Sequence, residues 1–277
     1  MTSGWVRAVW ALFLASWLLV ISVQALPPQR IVSGMPSVTE MLFALGLGNE
    51  VVGVTTNCNY PPEALKKDKV GGFFLNLEKV VSLRPDLVVM LGDAQKRDIE
   101  KFRAYGLNVY AIKPRTVEGV MDSLLELGKV TGKEEQARQV AARMRERINK
   151  VRGKNRFLWF VLRRPKVMVI VGSNPLVVVG GGTFIGDIIK YAGAENVTER
   201  VRGAYPHYSF ERLLKDDPEY IIIPRGVIRA EEMRFDSRWR SLKAVKIFID
   251  PDIISRPGPR VVEAIEEIDR LINGKKT

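Results

Sequence analysis

Leu77-Glu78-Lys79-Val80-Val81-Ser82-Leu83-Arg84-Pro85-Asp86-Leu87-Val88-Val89 and Phe210-Glu211-Arg212-Leu213-Leu214-Lys215-Asp216-Asp217-Pro218-Glu219-Tyr220-Ile221-Ile222 are written to one template, with glutamate, proline, an acid and an apolar run at matching offsets. A second pair accompanies the first. The segment 40–51 closes a helical pattern with Leu45-Gly46-Leu47-Gly48-Asn49, and 187–197 closes one with Ala192-Gly193-Ala194-Glu195-Asn196. Duplication on this scale predicts two similar α/β lobes with a binding site between them.

Outward from the template, strand and helix patterns alternate. Ile31-Val32-Ser33 is a short apolar run, and Ser37-Val38-Thr39-Glu40 has capping-box spacing ahead of a helix that Gly46 stops. Strands at 51–54, 86–91 and 108–112 are separated by helical patterns at 77–83 and 96–105, with a further helix opened by Thr116. Such alternation implies mainly parallel sheets covered on both faces. From Lys133 the chain runs through good helix formers without proline, apolar at Ala137, Val140, Ala141, Met144, Ile148 and Val151, which predicts one helix bridging the lobes. The apolar run 157–162 is expected to pack beneath that bridge. The second lobe restarts at Lys166 and ends in a helix over 259–272. The fold expected is therefore α/β, two Rossmann-like lobes, with the first at 26–132, the bridge at 133–156 and the second at 157–277.

Residues 1–25 hold one charge, Arg7, followed by an apolar stretch and small residues before Leu26-Pro27-Pro28. This is the pattern of an export signal; an uncleaved anchor is the alternative. The single cysteine, Cys58, provides no intramolecular disulfide and lies too far from the leader to carry a lipid at a new amino terminus. Net charge is +12. Export, and acids interspersed among the basic residues, argue against nucleic acid and leave anionic lipid or an anionic ligand as partners.

Catalytic machinery is sparse. Gly180-Gly181-Gly182-Thr183 before a helix has the form of a phosphate cradle, but no P-loop lysine follows and a glycine turn explains it equally. His207 is the only histidine, without a second imidazole or thiolate to complete a metal site; it is read as a polar wall residue, with axial ligation of a ligand's iron or cobalt as the alternative. Glu78 and Glu211 each begin a short helix, where a carboxylate gains from the helix dipole. Their equivalence across lobes adds a docking reading: matched acids on paired lobes suit basic groups on a two-fold symmetric partner.

These stretches, together with Val51-Val52-Gly53-Val54-Thr55, Cys58-Asn59-Tyr60-Pro61-Pro62-Glu63-Ala64, Val70-Gly71-Gly72-Phe73 and Arg256-Pro257-Gly258-Pro259-Arg260, resemble the class III substrate-binding proteins of ABC importers, a family with cobalamin-, haem- and siderophore-binding members. The resemblance covers nearly the whole mature chain and is greatest to the cobalamin-binding members. It implies a periplasmic monomer, not an enzyme, that captures a corrinoid or iron chelate between its lobes and delivers it to a permease dimer with a cytoplasmic ATPase. Glu78 and Glu211 would then meet permease arginines. By position the ligand would be lined by Asn57, Tyr60, Phe73, Phe74, Leu91, Asn174, Tyr205, His207 and Arg256. No cofactor or protein-held metal is implied; cobalt or iron would arrive inside the cargo. Cobalamin-binding members place aromatic rings where this chain has Asn57, Gly72, Leu91 and Val177, so a corrinoid, haem or a siderophore all stay open. Arg225, Arg229 and Arg256, if turned inward, suit ligand carboxylates.

Overall fold

The computed structural model describes residues 26–161 and 163–274. The expected export signal at 1–25 lies outside the described residues. In the first lobe, β1 (Ile31–Ser33), β2 (Val51–Val54), β3 (Asp68–Lys69), β4 (Leu87–Leu91) and β5 (Val109–Ile112) form one parallel sheet in the order β3-β2-β1-β4-β5. Helices α1 (Pro36–Ala44), α2 (Leu77–Ser82), α3 (Lys96–Ala104) and α4 (Val117–Thr131) connect or follow the strands. The second lobe has β6 (Lys166–Ser173), β7 (Leu176–Val178), β8 (Glu195–Asn196), β9 (Tyr220–Pro224) and β10 (Val245–Ile249), ordered β10-β9-β6-β7 with β8 also on β6. Pairings between its named strands are parallel except the β6–β7 hairpin.

Period-two alternation along the central strands divides the apolar residues between inner and outer cores. Ile31, Leu87, Val89, Val167, Val169 and Ile222 point into one core shared by both lobes. Their neighbours Val32, Val88 and Met90 pack outward under α3, while Met168, Ile170, Ile221 and Ile223 pack outward around Trp239. Strands apolar on both faces are what a parallel sheet covered on both sides requires.

The bridge is α5, Glu134–Val161, 28 residues long. Ala137, Val140, Ala141, Met144, Ile148 and Val151 form its buried stripe, at the expected helical spacing. It packs on α4, where a Cβ on Gly128 would stand 2.5 Å from the Ala137 methyl, so glycine is what lets the two helices approach. It also packs on α11 (Val261–Asn273) and α6 (Phe184–Tyr191) of the second lobe. Asn155 is fully buried and donates to Asp269 Oδ1 at 2.9 Å and to the Ala192 carbonyl at 3.2 Å, fixing the bridge to that lobe.

Two local expectations are corrected. The helix runs past 156, so residues 157–161 are its last turns and not a separate layer beneath it; Leu162 lies outside the described residues. The capping box at Ser37–Glu40 does not form. Pro36 already occupies the first turn, the N-cap is Met35 without a side-chain bond, and Ser37 and Glu40 are both buried inside α1. Proline's fixed φ and missing N–H suit that first turn, so the helix begins two residues earlier.

The template repeats down to the backbone. Asn76 caps α2 by accepting from Lys79 N at 3.0 Å, and Ser209 caps α7 (Phe210–Asp216) by accepting from Arg212 N at 3.2 Å. Arg84 (φ +46°) and Asp217 (φ +42°) are the only non-glycine residues among those described with left-handed backbone, and each directly precedes the template proline. Proline disfavours helical backbone at the residue before it, and the two lobes make the same unusual turn into β4 and β9.

Candidate functional site

A cavity of about 510 Å³ opens where the lobes meet. Met35 and Pro36 follow β1, Thr55 to Asn59 follow β2, and Gly72 and Phe73 follow β3; Asp252 and Arg256, beyond β10, complete the wall from the second lobe. The carboxyl ends of parallel strands are where open α/β sheets hold ligands, because the loops there are free to vary over a fixed scaffold. Behind the wall, Cys58 is buried with its Sγ 3.1 Å from both Thr39 Oγ1 and Thr55 Oγ1, so the one thiol is part of the packing.

Beside this cavity the lobes are clamped by ions. The Glu40 side chain is 1% exposed and receives three hydrogen bonds: Arg256 Nη1 at 3.2 Å, Arg260 Nη2 at 2.8 Å and Arg260 Nε at 3.1 Å. Arg256 also donates to Asn59 Oδ1 at 2.7 Å and the Asn57 carbonyl at 3.3 Å, and lies 2.7 Å from Asp252 Oδ1. Asn59 Nδ2 donates to Asp252 Oδ2 at 2.9 Å. The Arg260 guanidinium stacks on the Tyr60 ring at 4.1 Å. Burial works against the charged form of Arg260, but the Glu40 hydrogen bond and charge outweigh it and its pKa is raised. A second clamp lies near the bridge, where Val117 N donates to Asp187 Oδ2 at 2.8 Å and Tyr191 OH donates to Glu118 Oε1 at 3.2 Å.

Of the nine expected ligand contacts, Asn57, Phe73 and Arg256 line the cavity. Tyr60 stands beside it with one face covered by Arg260, and Phe74, 73% exposed, meets Phe73 edge-on at 5.2 Å. Leu91 is half-buried against the shared core. Tyr205 and His207 are exposed on an extended segment paired antiparallel to β7, with His207 opposite Val177; alternation puts these two side chains on one face. Asn174, in the β6–β7 turn, lines a different depression of about 450 Å³ together with Glu211, Glu232 and Arg238. Thr55, Thr56, Asn59, Asp252 and Glu40 are additions to the expected set. Asn59 and Glu40 stood in motifs already singled out, but nothing local marks the partners they find.

Arg256 is turned toward the cavity, with its guanidinium engaged by Glu40, Asp252, Asn59 and the Asn57 carbonyl. Arg225 and Arg229 are exposed on the loop after β9 and do not line the cavity. The Gly180–Thr183 loop is a packing turn. A Cβ at Gly180 would meet the Gly203 carbonyl oxygen at 2.2 Å and one at Gly181 the Glu199 carbonyl oxygen at 2.1 Å, while Thr183 Oγ1 already accepts from Gly186 N at 3.0 Å. Asp187, Glu199 and Lys190 line the depression beside it, leaving two acids to one base there. No group of three or more histidine, cysteine, aspartate or glutamate side chains able to hold a metal occurs among the described residues.

Glu78 and Glu211 are both exposed in the first turn of their helices. Its own backbone N–H, the Ser209 hydroxyl and, more weakly, Arg238 hold the Glu211 carboxyl below the usual range.

The family model described as periplasmic binding protein matches residues 31–247. The uncharacterized ABC transporter substrate-binding lipoprotein YvrC of Bacillus subtilis is 32% identical over 88% of this chain and 80% of its own length. The crystal structure of the periplasmic vitamin B12-binding protein BtuF of Vibrio cholerae superposes with a TM-score of 0.78 at 25% identity, covering 91% of this chain and all of that one. A periplasmic haem-binding protein of Pseudomonas aeruginosa shares the fold at TM-score 0.77 and 23% identity, over 90% and 94% of the two chains. The two-lobed fold described above is thus shared with these solved structures, and the chain belongs to the periplasmic binding protein family.

Proposed function

We propose that this chain is the substrate-binding component of an ABC importer, exported by residues 1–25, which captures a corrinoid or iron chelate between its lobes. It passes that cargo chemically unchanged to a permease dimer driven by a cytoplasmic ATPase. The observation that carries the reading is the cavity of about 510 Å³ at the strand ends, closed from the opposite lobe by Asp252 and Arg256. A cavity of this size, with an aromatic anchor and a few placed polar groups, suits a small organic ligand. The vitamin B12 and haem receptors of like fold support the ligand class.

A continuous 28-residue helix and two sets of cross-lobe hydrogen bonds favour small movements on binding over wide opening. Delivery rests on Glu78 and Glu211, exposed at equivalent places of the repeated template, as the acids that engage arginines of the permease. The direct test is thermal stability in the presence of cyanocobalamin, cobinamide, haem and ferric siderophores. A ligand at one hundred times its Kd adds about 2.7 kcal/mol of stability. A chain whose melting temperature moves with none of them is not a receptor for this class.

A further inference from the structure

We infer that Glu40 sets the charge of the ligand this cleft accepts. By occupying two arginines at the junction of the lobes it leaves a net-neutral wall, which selects ligands rimmed by amides or esters over ligands rimmed by carboxylates. The inference rests on the cleft being the ligand site.

Among the described residues only two charged ones line the cavity, Asp252 and Arg256, and they pair with each other at 2.7 Å. The Arg256 terminal nitrogens meet four protein acceptors: Glu40, Asn59, Asp252 and the Asn57 carbonyl. Arg260 is held in bidentate fashion by Glu40 and covered on one face by Tyr60. Within the hydrogen-bonded cluster two carboxylates, Glu40 and Asp252, therefore face two guanidiniums, Arg256 and Arg260, while Glu263 beside Arg260 is opposed in turn by Arg147. What remains for a ligand is the Thr56 hydroxyl and the Asn57 amide, since Thr55 is bonded to Cys58 and Asn59 to Arg256 and Asp252. A carboxamide exchanges water for such partners at little cost, whereas a carboxylate loses its hydration without gaining a counter-charge. Without Glu40 the same residues would present a guanidinium pair well suited to bidentate carboxylate binding.

The test uses two matched pairs, cyanocobalamin against its peripheral monocarboxylic acid and hemin dimethyl ester against hemin. Dissociation constants are measured by titration calorimetry with the full-length mature chain. The neutral member should bind at least about tenfold tighter in whichever pair binds, and Asp252→Asn, which leaves one guanidinium unbalanced, should cut that preference to about threefold or reverse it. Asp252 is 28% exposed, so this variant does not depend on a buried ion surviving alone. Glu40→Gln should act in the same direction, read on material whose circular dichroism matches the parent. Equal or tighter binding of the acid member by the parent chain, or an unchanged preference in Asp252→Asn, overturns the inference and leaves the receptor reading intact. Binding of neither pair overturns the inference, and the receptor reading then stands or falls on cobinamide and the ferric siderophores in the thermal-stability test.

Discussion

Truncating Glu40 to alanine should be among the most damaging single changes in the molecule. Its side chain is 1% exposed and is the shared acceptor of Arg256 and Arg260, themselves 14% and 12% exposed. Removing one partner of a buried ion cluster leaves the others desolvated without compensation, which costs about 3–5 kcal/mol. In a chain of this length each kcal/mol lowers Tm by about 2–4 °C, so the variant should melt about 6–20 °C below the parent. The triple replacement Glu40→Met, Arg256→Met, Arg260→Met removes all three charges together, and apolar groups of similar volume should recover most of the loss in Tm. Calorimetry with urea titration of the parent, the single and the triple variant measures both effects. A single variant within about 1 kcal/mol of the parent would refute the account, because the arginines would then be solvated and the clamp incidental.

Gly181→Ala should cost about 1–3 kcal/mol by urea unfolding, since its methyl would sit 2.1 Å from the Glu199 carbonyl oxygen, both of them backbone-anchored. Tyr208 is pushed up to about 12 from an ordinary 10.0, first by burial and then by the Asp216 hydrogen bond and charge. The unfolded chain releases that proton first, so the stability it gives is complete below about pH 10 and falls as pH rises toward 12; in Tyr208→Phe the alkaline slope of stability should flatten. Glu78→Ala with Glu211→Ala should leave ligand affinity within about threefold while uptake through the reconstituted importer falls at least about tenfold, and normal uptake would remove both acids from docking.

Much of the fold was legible in the chain. Strand β9 falls where the apolar run of the template predicts it, and α4 begins at the Thr116 cap, whose Oγ1 accepts from Gly119 N at 2.9 Å, and ends at Gly132 with φ +67°. These are signals between residues two to four positions apart, and propensity and capping act over that range. The site was legible in part. Asn57 and Phe73, expected from the resemblance, both line the cavity; Asn57 follows the predicted strand at 51–54, whereas Phe73 follows β3, a two-residue strand with no pattern of its own in the sequence. Asp252 was missed because its short helix carries no pattern beyond Pro251 at the first turn.

The amino-acid sequence by itself determined the two-lobed plan, the bridging helix and the equivalence of Glu78 with Glu211, because duplication and periodicity are written into the order of residues. Tertiary structure alone decided the role of Glu40. Its spacing from Ser37 is that of a helix cap, yet its carboxylate bonds Arg256 and Arg260, 216 and 220 positions away. Local spacing specifies which residues share a turn or a face; which buried charge finds which partner is fixed only when two lobes pack and must neutralise what they bury.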